Sequence, residues 1–177
     1  MVIVVTGPIA SGKSTVARAL HDELAGLDVS VAVIDLDVVE AMLSPEGHSP
    51  DLATWTLARR ATARLADSFL AEGVAVVIAD GSFNDPNDRA AFEQHLDAGV
   101  SPLYVTLTVG FGEALRRAQG DPTRGVSRDP AFLGSYFADS AHVPTSVPAT
   151  DIVIDTESVS PTAAAAEIAR IIRPGRE

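Results

Sequence analysis

The sequence contains no cysteine, which excludes disulfide bonds, thiolate zinc sites and cysteine nucleophiles. It also has no apolar run long enough to span a bilayer, and its apolar N-terminus lacks the basic region of a signal peptide. We therefore expect a cytoplasmic protein. The histidines lack the spacing of metal ligands, so no role is assigned to His21, His48, His95 and His142.

Positive charge is also scarce, since 13 basic residues stand against 24 acidic ones and the formal net charge is -11. A surface that acidic repels phosphate backbones and anionic lipids, so we expect neither nucleic acid nor a membrane as a partner. Lys13 is the only lysine; all other basic residues are arginines. Because an ammonium and a planar guanidinium are not interchangeable in a tight pocket, this single lysine indicates a specific role.

The length and composition indicate one globular domain over residues 1–177, of which 46% are hydrophobic and 21% charged. Five apolar runs rich in β-branched residues predict strands at residues 2–6, 29–35, 74–79, 103–108 and 152–155. Helical patterns fall between and after them, at residues 13–26, 50–73, 86–98 and 161–172. Continuous apolar strands alternating with helices are typical of an α/β fold with a parallel sheet buried on both faces.

One glycine-rich motif lies between the first predicted strand and the first predicted helix. Residues 7–14 match G-x-x-x-x-G-K-[ST] at every fixed position. In such a loop the backbone N–H groups surround phosphate oxygens, the lysine reaches the β- and γ-phosphates, and the last hydroxyl binds Mg²⁺. The predicted nucleotide-contacting residues are Gly7, Pro8, Ile9, Ala10, Ser11, Gly12, Lys13, Ser14 and Thr15.

An acidic residue follows the third predicted strand. Asp80 ends an apolar run, where a carboxylate beside the phosphate loop can hold Mg²⁺ together with Ser14. The alternative is an ordinary turn after the strand, because Asp80-Gly81 also suits a turn.

An acidic pair follows the second predicted strand. Asp35 and Asp37 face the same crevice as the phosphate loop, because ligands of open parallel sheets bind at the carboxyl ends of the strands. Phosphoryl transfer to a hydroxyl needs a carboxylate that accepts the proton. We predict Asp37 as that base and Asp35 as its helper or as a metal ligand. The alternative for Asp37 is the N-cap of a helix at residues 38–43.

Four arginines lie within 13 residues of each other, and the stretch 120–130 is rich in glycine, proline and charge. We predict a lid over residues 116–130 that closes on ATP and stabilises the transferring phosphoryl group. The lid residues predicted to act in catalysis are Arg116, Arg124 and Arg128, and Arg117 is predicted to contact the nucleotide.

The alternative for this arginine cluster is a solvated helix face. Its arginines would then pair with the nearby carboxylates of Glu113, Asp121 and Asp129. Weaker candidates for the acceptor pocket are Trp55, Phe83, Arg59, Arg60 and Arg64. Aromatic residues near a sheet more often belong to the core, and the arginines fit a solvated helix face at least as well.

The sequence resembles the small P-loop kinases of metabolites, which include adenylyl-sulfate, gluconate, shikimate and chloramphenicol kinases. The resemblance spans nearly the whole chain and rests on the glycine loop, the acidic pair, Asp80, the arginines at 116–117 and the segment 150–156. It implies a three-layer sandwich with a five-stranded parallel sheet of order 2-3-1-4-5, and adenine near the last strand. It does not identify the acceptor.

These observations predict an ATP-dependent kinase that uses Mg²⁺ and phosphorylates a hydroxyl of a small molecule, either a metabolite or an antibiotic. One alternative is a nucleotide-dependent switch, although the sequence has no Asn-Lys-x-Asp guanine motif. Another is a kinase of nucleotides or RNA ends, for which a basic groove is needed. The sequence does not predict whether the protein is a monomer or a homo-oligomer.

Overall fold

The computed structural model describes residues 1–44, 51–139 and 151–172. Its strands are β1 (Val2–Thr6), β2 (Val31–Asp35), β3 (Val76–Asp80), β4 (Leu103–Thr108) and β5 (Ile152–Asp155). Its α-helices are α1 (Lys13–Ala25), α2 (Leu36–Ala41), α3 (Leu52–Ala71), α4 (Pro86–Glu93), α5 (Phe111–Gly120), α6 (Pro130–Ala138) and α7 (Pro161–Ile172). The first residue of the predicted helix 50–73 and the first residue of the segment 150–156 lie outside the described ranges.

The five strands form one parallel sheet in the order β2-β3-β1-β4-β5, which confirms the predicted fold class and strand order. In this sheet Asp80 lies opposite both Val5 and Asp35. The register therefore brings the two strand-ending acids together, directly beside the point where β1 enters the glycine loop.

Helices cover both faces of the sheet. Because side chains alternate along each strand, Ile3 and Val5 pack with α1 and α7, while Val2 and Val4 pack with α2, α3 and α4. All four of these valine and isoleucine residues have no exposed surface. This double burial explains why the strands read as continuous apolar runs.

Two predicted strands begin later than their sequence pattern suggested. The N–H of Val29 donates to the carbonyl of Leu24, and the N–H of Val74 donates to the carbonyl of Phe69. These bonds complete the turns that end α1 and α3, so both valines belong to the connections and the strands start two residues later. Helix α4 is also shorter than predicted, ending at Glu93.

Helices α5 and α6, joined by a turn and a short 3₁₀ helix (Val126–Arg128), occupy the region predicted as a lid. Arg116 and Arg117 therefore lie inside α5 and not in a loop. A small apolar cluster, which includes Ala114 and Leu133, packs these helices against Ala10 of the glycine loop. Within the described residues, no helix is long and apolar enough to cross a membrane.

Candidate functional site

The glycine loop between β1 and α1 has an unusual backbone. Gly7, Ala10 and Gly12 all have positive φ angles, of 146°, 61° and 90°. At Gly7 a Cβ atom would lie 2.5 Å from the backbone oxygen of Leu107, so only glycine fits there. Alternating handedness of this kind turns successive N–H groups toward one concave side, which suits an anion.

Helix α1 begins at this loop without a side-chain cap, because its N-cap residue is Gly12. Its first N–H groups are thus left for a ligand, and the positive end of the helix dipole points the same way. In contrast, aspartate side chains cap the N-termini of α2, α3, α4 and α6 through Asp35, Asp51, Asp85 and Asp129. The uncapped start of α1 is therefore suited to phosphate binding.

Lys13 lies over the loop that precedes it. Its Nζ atom donates to the carbonyls of Gly7 and Pro8, each at 3.1 Å. Burial lowers the pKa of Lys13, an effect that the nearby Asp37 and Asp80 oppose. The single lysine of the chain thus occupies the position at which the motif requires one.

Asp80 and Ser14 form the candidate metal site. Asp80 is 2% exposed, and its Oδ1 atom has no hydrogen-bond partner among the described residues. Burial raises the pKa of Asp80 to about 6, although a hydrogen bond from Ser14 acts in the opposite direction. Asp35 raises this pKa further by charge repulsion. A carboxylate in this setting is stabilised by a cation.

The donor set of this site fits Mg²⁺. Among the described residues, no group of three or more histidine, aspartate or glutamate side chains could hold a metal ion. Mg²⁺ commonly binds one or two protein oxygens and takes its other ligands from water and substrate phosphates. Ser14 and Asp80, next to a phosphate loop, match that pattern.

Asp35 and Asp37 take different positions at the start of α2. The Asp35 carboxylate accepts hydrogen bonds from the N–H groups of Asp37, at 2.9 Å, and Val38, at 3.4 Å. Asp35 is thus the N-cap of α2, and the alternative that assigned this cap to Asp37 is wrong. Asp37 lies in the first turn of α2 and is accessible to solvent. The charges of Lys13 and Arg124 lie within electrostatic reach of its carboxylate.

A cleft of about 400 Å³ opens between α1 and the edge strand β2, and reaches the candidate metal site. Asp35, a predicted metal ligand, lines this cleft together with Ser14 and Asp80. Its lining consists of Ser14, Arg18, His21, Asp22, Val33, Asp35 and Asp80.

Residues 2–125 match the family model described as an AAA domain, which is more than half of the chain. The protein belongs to this family of P-loop kinases. The adenylyl-sulfate kinase of Paraburkholderia xenovorans (strain LB400) is 33% identical over 158 residues, covering 88% of this chain and 83% of that protein.

Solved structures show the same P-loop kinase fold. The Mycobacterium tuberculosis APS kinase CysC, in complex with AMPPNP and APS, matches with a TM-score of 0.75 and 21% identity over 97% of this chain and 96% of that one. A gluconokinase from Sinorhizobium meliloti 1021 matches with a TM-score of 0.64 and 18% identity over 96% of this chain and 94% of that one.

In this P-loop kinase, the neighbours Arg116 and Arg117 on α5 share one carboxylate but differ in every other contact. Both guanidinium groups bond to Glu113, and the Arg116 side chain is 72% exposed. Arg117 also donates to the backbone carbonyl of Ala10 at 3.4 Å, and to the hydroxyl and carbonyl of Thr156 at 3.0 and 2.7 Å. Arg117 therefore connects the phosphate loop to the turn after β5.

We expect Arg117→Ala to raise the KM for ATP about tenfold, because its contacts position both the loop and the turn. Arg116→Ala, which removes an exposed ion pair with the same Glu113, should change the KM less than about twofold. Steady-state kinetics of the two variants make the comparison. A large loss of kcat in Arg116→Ala would instead support the catalytic role that the sequence suggested for it.

The other two arginines of the predicted lid differ in their position. Arg124 lies within electrostatic reach of Lys13 and Asp37 and pairs with Asp121 at 3.3 Å. Arg128 is exposed on the 3₁₀ helix. The pairing with Glu113 and Asp121 matches the solvated-face alternative for Arg116 and Arg124, while only Arg124 is also directed to the candidate site.

Two contacts at the site were not predicted from the sequence. The Thr6 hydroxyl donates to the Asn84 side chain at 2.9 Å and accepts from the N–H of Phe83. Both Thr6 and Asn84 are buried, and together they hold the segment after β3 against the start of the glycine loop. A polar residue at the end of an otherwise apolar strand was the available sequence signal.

Tyr136 was also missed. It lies on α6, hydrogen-bonds with the backbone of Ile9 and is close enough to Asp37 to be influenced by its charge. Burial raises the pKa of Tyr136 to about 12, so its hydroxyl stays protonated at neutral pH. Its ring packs edge-on against Phe137. Helix α6 thus places an aromatic side chain at the candidate site.

Three of the weaker sequence candidates pack together in the protein interior. Phe83 has no exposed surface and packs edge-on against Phe92, while Trp55 packs against the same core. Arg59 lies beside both rings, with its guanidinium 5.9 Å from the Trp55 ring centre and 6.0 Å from that of Phe83. These three side chains therefore form part of the interior.

Proposed function

We propose that this protein transfers the γ-phosphate of ATP to a hydroxyl group of a small molecule. One observation carries the proposal: four charged residues lie close together at the carboxyl ends of β1, β2 and β3, namely Lys13, Asp80, Asp37 and Arg124. The charges of Asp37, Asp80 and Arg124 act on Lys13, and those of Lys13 and Arg124 act on Asp37. A phosphate loop alone would bind a nucleotide. A carboxylate and an arginine opposite that loop add what transfer to an alcohol needs.

The phosphate loop holds the nucleotide. Backbone N–H groups of the loop and the start of α1 bind the β- and γ-phosphates, and Lys13 leaves its two carbonyl partners to bind the same oxygens. The buried hydroxyl of Ser11, which has no partner among the described residues, adds a further donor on the inner side of the loop. The use of AMPPNP in the structure of the related APS kinase supports ATP as the donor.

Asp37 accepts the proton of the acceptor hydroxyl. As that proton moves to the carboxylate, the alcohol oxygen forms a bond to the γ-phosphorus, the bond to the β-γ bridging oxygen breaks, and ADP leaves. Although Asp37 remains accessible to solvent, partial desolvation by the surrounding protein raises the pKa of its carboxyl, and the positive charge of Lys13 opposes this. A raised pKa makes a carboxylate a stronger base.

Mg²⁺, held by Ser14 and Asp80, would neutralise charge on the phosphate oxygens when the nucleotide is bound. Arg124 stabilises charge on the transferring group from the side of α5 and α6, as the predicted lid requires. Arg128, exposed on the 3₁₀ helix, belongs to the same proposed lid.

We expect Asp37→Asn to lower kcat about 10²–10⁴-fold with little change in the KM for ATP, because only proton acceptance is removed. Asp28→Asn, at an exposed turn between α1 and β2, serves as the matched control. Near-normal turnover of Asp37→Asn would contradict the role of this residue. In the wild type, activity should also fall with decreasing pH as Asp37 becomes protonated.

The first experiment is a mass-spectrometric screen for phosphorylated products. The purified protein is mixed with Mg²⁺, ATP or GTP, and pooled hydroxylated compounds. A product heavier by one phosphoryl group supports the proposal and identifies the acceptor. Nucleotide hydrolysis without any such product would favour a nucleotide-dependent switch.

A further inference from the structure

Arginines near the acceptor side of the site are already paired inside the protein. The guanidinium of Arg59 donates twice to the carbonyl of Ser82, at 2.9 and 3.1 Å, and forms an ion pair with Asp88 at 3.0 Å. Only 6% of its side chain is exposed. Although Ser82 directly follows Gly81 at the carboxyl end of β3, this cation cannot reach a bound molecule without breaking those bonds.

Arg89, which also reaches the segment after β3, is paired in the same way. It donates to both carboxylate oxygens of Asp151, at 2.9 and 2.7 Å, and to the carbonyl of Phe83 at 3.1 Å. Its guanidinium also lies 4.0 Å from the centre of the Tyr104 ring. The Arg89 and Asp151 side chains are 13% and 1% exposed, so their charges compensate each other within the fold.

The two remaining arginines of α3 point the other way. The buried residues of this helix define its inner face, which includes Ala63 and Ala66. At about 100° per residue, Arg64 lies on the opposite face and Arg60 is also well away from the inner one. Both are exposed. The segments 45–50 and 140–150, outside the described residues, contain no lysine or arginine.

The cleft beside α1 is acidic as well. Among its lining residues, three carboxylates accompany one arginine and one histidine. An anion near Arg18 would therefore also meet Asp22 and Asp35. The cations whose charge acts on the proposed base Asp37 are Lys13 and Arg124, which the proposed reaction already assigns to the phosphates.

Apolar side chains lie next to the proposed base. Val38 on α2 is 53% exposed, Met42 at the C-cap of α2 is 77% exposed, and Leu52 at the start of α3 is 76% exposed. The buried carboxylate of Glu40 on the same helix adds a second negative charge that acts on Asp37. The exposed side chains near Asp37 in the chain are thus apolar, and the buried charge beside it is negative.

From these contacts we propose that the acceptor is an alcohol with an apolar body and no phosphate, sulfate or carboxylate group, either uncharged or carrying an amine. This inference rests on the proposed function. An anionic acceptor at Asp37 would be desolvated next to the carboxylates of Asp35 and Glu40, while the cations that act on Asp37 are assigned to the phosphates. An apolar body would cover Val38 and Met42 and remove their exposed surface from water.

The test compares two pools with the full-length protein, Mg²⁺ and ATP. One pool holds neutral or amine-bearing alcohols with apolar bodies, such as chloramphenicol and a macrolide, and the other holds gluconate, shikimate and adenylyl sulfate. We expect product from the first pool, with a kcat/KM at least about tenfold above that of any anionic compound. An anionic compound turned over equally well would overturn the inference and leave the kinase proposal intact. ATP hydrolysis with no product from either pool would contradict both.

A charge added beside Asp37 gives an independent readout. We expect Met42→Arg to shift the ratio of kcat/KM values toward anionic alcohols by about tenfold. Leu65→Arg adds the same charge on the outer part of α3, where 40% of the leucine is exposed, and should leave the ratio unchanged. An equal shift in both variants would show that net charge and not the proposed surface sets the preference.

Discussion

Replacing Lys13 with alanine is expected to lower kcat/KM for phosphoryl transfer by about 10²–10³-fold, because the variant loses the charge that binds the transferring phosphate. Its ammonium is the only lysine charge in the protein and lies over the loop, 3.1 Å from the carbonyls of Gly7 and Pro8. Lys13→Arg should lose nearly as much activity, because a planar guanidinium cannot occupy a pocket built for a compact ammonium. Full activity of Lys13→Arg would show that charge alone suffices.

The single lysine also provides a direct binding assay. An amine-reactive reagent can modify only Lys13 and the N-terminal amine, which donates to the carbonyl of Ala75 at 2.7 Å. We expect Mg²⁺ and ATP to protect Lys13 from labelling and to leave the N-terminus unaffected. The two sites are separated by mass spectrometry of the peptides, so the N-terminal amine acts as an internal control. Equal labelling with and without nucleotide would place the phosphates elsewhere.

Asp80→Asn is expected to stabilise the nucleotide-free protein at neutral pH while abolishing Mg²⁺-dependent activity. The folded-state pKa of about 6 lies above the usual 3.8, so folding opposes ionisation of this carboxyl. A difference of that size corresponds to at most about 3 kcal/mol at neutral pH. For a chain of this length, each kcal/mol raises the Tm by about 2–4 °C.

The pH dependence of this effect has a defined sign. Below about pH 3.8 the carboxyl is protonated in both states, so Asp80→Asn should give no advantage. Between that pH and about 6 the unfolded chain loses the proton first, and the wild-type protein loses stability as pH rises. Above this range the advantage of the variant should be complete. Thermal unfolding at several pH values measures it, with the exposed Asp28→Asn as control.

A lower Tm for Asp80→Asn at neutral pH would mean that the Asp80 charge is compensated in the folded protein. In that case the unpartnered Oδ1 atom would not indicate a cation site. A higher Tm together with retained Mg²⁺-dependent activity would separate the two parts of the prediction, because the carboxyl would then be buried without serving the metal.

Patterns local in the chain could be read directly from the sequence. The apolar runs predicted all five strands, and the glycine motif predicted the phosphate loop and the helix after it. The sheet order came from the resemblance to P-loop kinases and was confirmed. These features depend on neighbouring residues and on the periodicity of apolar side chains, both of which can be read from a single sequence.

The partner of each polar side chain was decided only by the tertiary structure. Asp35 rather than Asp37 caps α2, because the cap depends on where the helix begins. Arg116 and Arg117 are adjacent in sequence, yet only Arg117 reaches Ala10 and Thr156. Ala10 and Thr156 are far from Arg117 in sequence, so the sequence does not indicate these contacts.

The charges around the proposed acceptor surface show the same limit. Arg59 was a weak candidate for the acceptor pocket, with a solvated helix face as the alternative, but its pairing with Asp88 and Ser82 depends on how α3 packs on the segment after β3. By itself the sequence determined a phosphate loop at the carboxyl end of the first strand of a parallel sheet, since backbone conformation and apolar burial follow local patterns. Which charges remain free to meet a substrate was decided by the tertiary structure, because a charged side chain pairs with whatever the fold brings within a few ångströms.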